Sequence, residues 1–294
     1  MSTIHNIVVA TDFSPGSDAA VERALLLAGT HGAALRLLHA FDVGAWHSLT
    51  GVFNAQRLAL SPPPDVRTQQ RLTDLAAALA MRSGLSVEAR FTVGEADAAI
   101  SAYLSSHDCS LLVIAARADP AVPGLGGVAS RVVQASACPV LLVRSTGARP
   151  YEQVLSAVDL SAAARRAAVV ALALFPGAHH HLLYAVDPAR ERALWMGDVA
   201  KEQTRLLHAS LHIQALRQME QLAQELSRTG EHPVAAEVVD EVPARAVALR
   251  ALKLPADCVV MGQHGAGAAP AGRLPGSMAQ HALQHTLRDV LLVP

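Results

Sequence analysis

Ile7-Val-Val-Ala-Thr-Asp-Phe-Ser14 is a short β-rich apolar run that stops at Asp-x-Ser, and the chain writes it twice. Val154-Leu-Ser-Ala-Val-Asp-Leu-Ser161 repeats it, with Asp159 lying 147 positions after Asp12. A run of this kind reads as a buried strand handed straight to a helix. Other landmarks keep nearly the same offset. Leu37-Leu-His-Ala-Phe-Asp42 matches Leu182-Leu-Tyr-Ala-Val-Asp187 at 145, and Ser110-Leu-Leu-Val-Ile-Ala115 matches Asp257-Cys-Val-Val-Met-Gly262 at 147. Ala137-Cys-Pro-Val-Leu-Leu-Val143 matches Leu287-Arg-Asp-Val-Leu-Leu-Val293 at 150, so the second copy carries three extra residues between positions 262 and 288. The repeat is domain-sized. It predicts one domain over 1–146 and a second over 150–294, with the turn-forming Ser145-Thr-Gly-Ala-Arg-Pro150 at the junction.

Within each half, short apolar runs alternate with segments of helical period, which argues for βαβ units and a parallel sheet. The first half predicts strands near 5–10, 34–40, 86–92, 110–115 and 139–143, and helices near 17–30, 65–83, 96–106 and 127–136. The second half follows suit, apart from an elaboration over 188–228. There Leu216, Met219, Leu222, Ala223 and Leu226 keep a 3–4 spacing that predicts one long amphipathic helix stopping near Gly230. The fold class is α/β, with two tandem doubly wound domains.

Composition bounds the function. The 294 residues carry 24 Lys+Arg against 25 Asp+Glu, a net charge of −1, so the electrostatic footprint of a nucleic-acid binder is missing. Cys109, Cys138 and Cys258 cannot all pair within one chain and show no Cys-x-x-Cys spacing, which fits a reducing cytoplasm. Residues 1–10 read as a first strand rather than an export signal, and the longest apolar run, Ala167 to Phe175, is about half of the ~18 residues a membrane span needs. The expected location is cytoplasmic, with no membrane partner.

In a doubly wound sheet, ligands bind beyond the carboxyl ends of the strands, where the strand order reverses. Asp12 and Asp159 each end a first strand there. A carboxylate in that place either caps the following helix or accepts from a ligand's polar edge. The fourth strand of the second half runs into Gly262-Gln-His-Gly-Ala-Gly-Ala-Ala-Pro-Ala-Gly-Arg-Leu-Pro-Gly-Ser277, which opens the last helix. Glycines let successive N–H groups turn toward an anion, and a helix N-terminus favours phosphate. The run is neither of the common nucleotide loops, Gly-x-x-x-x-Gly-Lys-Ser/Thr or Gly-x-Gly-x-x-Gly. It serves as a phosphate loop or as a plain connection.

Taken in order, Val9-Ala-Thr-Asp-Phe-Ser14, Leu37-Leu-His-Ala-Phe-Asp42, Ala137-Cys-Pro-Val-Leu-Leu-Val143, Val260-Met-Gly-Gln-His-Gly265 and Gly276-Ser-Met-Ala-Gln-His281 make the chain resemble a tandem universal stress protein. The resemblance covers essentially all of it. It implies a five-stranded parallel sheet per domain in the order 3-2-1-4-5, dimer-like pairing of the domains through their last strands and, in one branch of the family, ATP binding. That branch resembles Gly-x2-Gly-x9-Gly-Ser/Thr. Gly262, Gly265, Gly276 and Ser277 match in type, but the spacer from 266 to 275 has ten residues and contains Pro270 and Pro275. The resemblance puts Asp159 and Ala185 at adenosine-contacting positions, Met261 and His264 beside the leading glycines, and Met278 after the phosphate-binding Ser277. In the first half the matching residues are Ala115, Ala118, Gly126 and Gly127, with seven residues between Ala118 and Gly126. Both leading glycines are lost, so that half is expected to have lost triphosphate binding, while Asp12, Ala40 and Asp42 keep an adenosine-like pocket in view.

Five histidines precede residue 150 and nine follow it. His208 and His212 stand at i,i+4 on the long helix, where both could meet one zinc ion, with His179, His180, His181 or Asp198 as further ligands. Equally, they continue the face of Leu216, Met219 and Ala223 as packed side chains. His281 and His285 repeat the spacing and are expected on a solvated face. No nucleophile is paired with a base, so the chain is not expected to be an enzyme, with weak ATP hydrolysis left open. The expected function is a universal stress response protein that binds ATP in its C-terminal domain as a regulatory ligand. The alternatives are an interaction module of the same fold without nucleotide and a zinc-linked stress sensor. Expected partners are an adenine nucleotide and unidentified proteins, with a pseudo-dimer of the two domains or a homodimer as the assembly.

Overall fold

The structure is a computed structural model that describes residues 4–44, 63–119, 121–122, 124–187, 201–263 and 277–294, with the side chains of 201–204, 277 and 278 excepted. The chain divides into two compact units, Thr3–Arg149 and Pro150–Pro294.

In the first unit β1 (Asn6–Ala10), β2 (Ala34–Phe41), β3 (Val87–Val93), β4 (Leu111–Ala115) and β5 (Val140–Val143) form a parallel sheet in the order β3-β2-β1-β4-β5. The connecting helices are α1 (Pro15–His31), α2 (Pro64–Ser83), α3 (Ala96–Ser106) and α4 (Gly127–Ala135). Ile7, Val8 and Val9 are fully buried, as are Leu111 to Val113 and Leu141, because helices cover both faces of the central strands. α1 starts and stops on local chemistry. Ser14 accepts from the Ser17 amide at 3.3 Å, Pro15 supplies a preset φ, and Gly32 ends the helix at φ 61°, its amide donating to the Ala28 carbonyl.

The second unit repeats the plan. β6 (Gln153–Ala157), β7 (His179–Val186), β8 (Ala235–Asp240), β9 (Cys258–Gly262) and β10 (Asp289–Val293) run parallel in the order β10-β9-β6-β7-β8. Its helices are α5 (Ala162–Leu174), α6 (Lys201–Ser227), α7 (Pro243–Lys253) and α8 (Ser277–His285). The second half of α6 packs Met219, Leu222, Ala223 and Leu226 onto Ala164, Ala168, Leu172 and Leu182. One expected stripe member is displaced: Leu216 is 37% exposed, and Ala215 takes the inward place four residues before Met219.

Two buried histidines, one in each unit, tie the stability of the cores to pH. In β7 the His180 ring donates from Nε2 to the Phe175 carbonyl at 2.9 Å, and its Nδ1 is buried without a partner. Burial pushes its pKa below the usual histidine value, because the cation would lose its water. An unfolded histidine takes up a proton below pH ~6.5, whereas the native ring does so only at lower pH. Stability is therefore full above that pH and falls as the pH drops below it. His39 behaves alike, its Nδ1 meeting the Thr11 carbonyl at 2.7 Å under the same desolvation. Urea unfolding between pH 7.5 and 5.5 should show this loss, and His180→Leu should flatten the slope by up to about 1.4 kcal/mol per pH unit. An unchanged slope would place the proton uptake elsewhere.

Candidate functional site

The repeated Asp-x-Ser builds the same corner in both units. The Asp12 carboxylate accepts from the Ser14 amide at 3.0 Å and from its hydroxyl at 2.5 Å; Asp159 accepts from the Ser161 amide at 3.0 Å. The serine, not the aspartate, caps the helix, since Ser161 Oγ accepts from the Ala164 amide at 3.1 Å. Between the two stands a residue with positive φ, Phe13 at 60° and Leu160 at 63°. A left-handed non-glycine costs of order 1 kcal/mol or more and persists only where its surroundings demand it. Burial raises the Asp12 pKa, but the hydrogen bonds from Ser14 and Ser17 outweigh it and hold the carboxyl below the usual carboxylate range.

In the second unit this corner lies among the other expected contacts. Ala157 pairs with Leu183 and Ser156 with Val260, so Asp159, Ala185 and Gly262 emerge together at the carboxyl ends of β6, β7 and β9. That is where the chain's strand order reverses, the usual ligand crevice of such a sheet. Asp159 and Ala185 are half-buried, as is Gly262, whereas Met261 is 2% exposed and belongs to the core of β9. His264, Gly265 and Gly276 lie outside the described residues, as do the side chains of Ser277 and Met278. Gly262 also answers to packing. A Cβ there would meet Ala163 of the first turn of α5 at 3.3–3.4 Å.

The first unit closes the same corner with its own backbone. The Gly126 amide at the start of α4 donates to the Ala116 carbonyl at 2.7 Å, and the Gly16 amide in the first turn of α1 donates to the Ala118 carbonyl at 2.8 Å. Arg144 adds a bond from Nη1 to the Gly124 carbonyl at 2.7 Å. The Gly16 and Gly126 amides are thus both held by the segment that follows β4. Beside this corner, His39 lies against Phe13 with ring centroids 4.9 Å apart and against Phe91 at 5.9 Å, and the Arg71 guanidinium sits 4.3 Å over Phe13. This aromatic cluster was not legible in the sequence, because Phe13, His39, Arg71 and Phe91 come from four separate segments.

The histidine expectations separate. His208 Nε2 lies 3.1 Å and His212 Nδ1 2.9 Å from the same oxygen, Asp240 Oδ1. His179, His180 and His181 are not part of this group. They begin β7 while Asp240 pairs with Val186 at its end, about 17–23 Å away at ~3.3 Å per residue, and Asp198 lies outside the described residues. His281 and His285 are exposed, their rings 4.4 Å apart. The cysteines also hold a surprise: Cys109 and Cys138 approach to 3.6 Å between sulfurs, and the neighbouring thiol's hydrogen bond brings Cys138 down to about 7.

In each unit a parallel sheet flanked by helices, with its strand order reversing beside the first strand, defines a doubly wound α/β domain. The chain belongs to the universal stress protein family, whose model matches residues 3–144 and again 150–294. The whole chain is similar to a universal stress protein from Archaeoglobus fulgidus, with a TM-score of 0.68 and 16% identity over 100% of this chain and 99% of that one. It is also similar to a protein of unknown function from Pseudomonas aeruginosa PAO1, with a TM-score of 0.62 and 18% identity over 99% and 92%. A universal stress protein solved in complex with cAMP matches 50% of this chain and 100% of its own at 20% identity, with a TM-score of 0.36. No curated protein matches the sequence. Among the described residues, no helix is long and apolar enough to cross a membrane.

Proposed function

We propose that this universal stress protein binds one ATP in its C-terminal domain as a regulatory ligand, in the cytoplasm, and that its N-terminal domain takes no triphosphate. The carrying observation is the convergence of Asp159, Ala185 and Gly262 at the carboxyl edge of β6, β7 and β9, with the glycine-rich segment leading from there to α8. A strand-end carboxylate suits the hydroxyls of a ribose or the amine of adenine, the small Ala185 leaves room beside it, and a glycine run before a helix suits phosphates. The contrast with the first unit supports the assignment to one domain, because there Ala116 and Ala118 carbonyls satisfy the corresponding amides. ATP acts here by changing affinity for a partner rather than as a substrate, since neither Asp159 nor Ser161 stands as a base on a nucleophile: the Asp159 carboxylate accepts from the Ser161 amide and Ser161 Oγ caps α5.

Denaturing freshly purified protein and identifying the released small molecules by liquid chromatography and mass spectrometry tests the reading. About one adenine nucleotide per chain is expected. None, together with no binding in a titration with added ATP, would leave the interaction module without nucleotide as the function of this fold.

A further inference from the structure

α6 is built in two different ways along its length. From Ala215 onward its inner stripe is buried, but over 205–214 every side chain is exposed except His208 and His212. These two continue the inward stripe backwards by one turn each, from Ala215 and Met219 to His212 and His208. Where the stripe would need an apolar partner, the sheet offers the terminal residue of its edge strand, Asp240. A ten-residue helical extension without buried contacts is marginal by itself, so something polar must hold it.

We propose that His208, His212 and Asp240 bind one divalent transition-metal ion, zinc being the best fit. Both imidazoles aim at one carboxylate oxygen, through different ring nitrogens, at 3.1 and 2.9 Å, and all three donor atoms lie within 4.8 Å of one another. With zinc bonds of about 2.0–2.2 Å, the edges of a tetrahedral shell measure about 3.3–3.5 Å, so small ring rotations suffice to admit the ion. Two histidines one helical turn apart plus a carboxylate from a strand give three protein ligands and leave the fourth position open to water or to an incoming ligand atom. The side chains are 21%, 27% and 49% exposed, so the ion can load from solution. Bound metal would pin the first half of α6 to the end of β8. Asp240 pairs with Val186, the residue after Ala185, so the clamp borders the cleft of the second unit without sharing its contacts.

Cobalt and zinc titrations of the full chain, purified without a histidine tag and stripped with chelator, test this. One equivalent of Co2+ should give the intense visible absorption of a tetrahedral site, and one equivalent of Zn2+ should displace it. His208→Gln together with His212→Gln should weaken zinc at least a hundredfold. The matched control, His281→Gln with His285→Gln, removes the other exposed pair and should leave the site intact. Asp240→Cys provides a positive signature, because a thiolate ligand should add an ultraviolet charge-transfer band to the cobalt spectrum. Hydrogen exchange over 205–214 should slow on zinc addition in the parent protein only. Weak octahedral cobalt absorption, or equal loss of zinc in both histidine pairs, would show an ordinary histidine–carboxylate ion pair and overturn the assignment.

Discussion

Gly16→Ala should destabilise the N-terminal domain by about 3 kcal/mol, one of the larger effects available to a single methyl group in this chain. The added Cβ would fall 2.0 Å from the Arg117 carbonyl oxygen and 2.9 Å from that of Ala118, both of them backbone atoms that cannot rotate away. Relief requires the segment after β4 to move, at an overpacking cost of about 1–3 kcal/mol, and the bond from the Gly16 amide to the Ala118 carbonyl is lost with it, about 1 kcal/mol more. Alanine's better helix propensity returns less than ~1 kcal/mol. Urea unfolding measures the difference. A loss below about 1 kcal/mol would mean that residues 117–118 shift easily, and the closed loop inferred for this domain would fall with it.

The second unit places its close-packed glycine elsewhere. Ala163 occupies the position of Gly16, and the glycine is now Gly262 at the end of the facing strand, where a Cβ would meet Ala163 at 3.3 Å. Gly262 thus answers to packing as well as to a ligand, and it shares the ligand argument with Asp159, Ala185 and the remaining loop glycines.

Strands were legible because buried parallel strands have to be apolar throughout: Ile7–Ala10 and Cys258–Gly262 leave no other reading. The helix cap weighed for Asp12 and Asp159 falls instead to Ser14 and Ser161, two residues further on. Other features had no local signal. Phenylalanine and leucine do not announce a left-handed backbone, yet Phe13 and Leu160 adopt one because the aspartate before them is tied to the serine after them. Asp240 lies 28 residues beyond His212, and Cys138 lies 29 beyond Cys109. Both pairings depend on which strand ends the sheet brings together, a property of topology and not of spacing. Leu216 was read into the apolar stripe because a 3–4 spacing admits either the third or the fourth residue before Met219, and the helix turns the fourth, Ala215, inward.

ATP at ~100 times its Kd should stabilise the C-terminal domain by about 2.7 kcal/mol, read as a raised unfolding midpoint, and leave the N-terminal domain where it is. Asp159→Ala should cost tenfold or more in affinity, because a charged acceptor for ribose or adenine is worth about 1.5–3 kcal/mol. The same change removes the bond to the Ser161 amide beside the strained Leu160, so some loss of intrinsic stability accompanies it. Gly265→Val separates the two effects: it should abolish the ATP response by placing a branched side chain in the phosphate path while the apo midpoint stays put. Asp12→Ala, the matching change in the first unit, should leave ATP affinity unaltered, since the amides there are held by Ala116 and Ala118. Isothermal titration fixes the stoichiometry. One ATP per chain that vanishes in Gly265→Val supports the C-terminal site; two per chain would mean that the first loop opens on binding; none would mean that the ten-residue spacer and its two prolines have ended nucleotide binding in this chain.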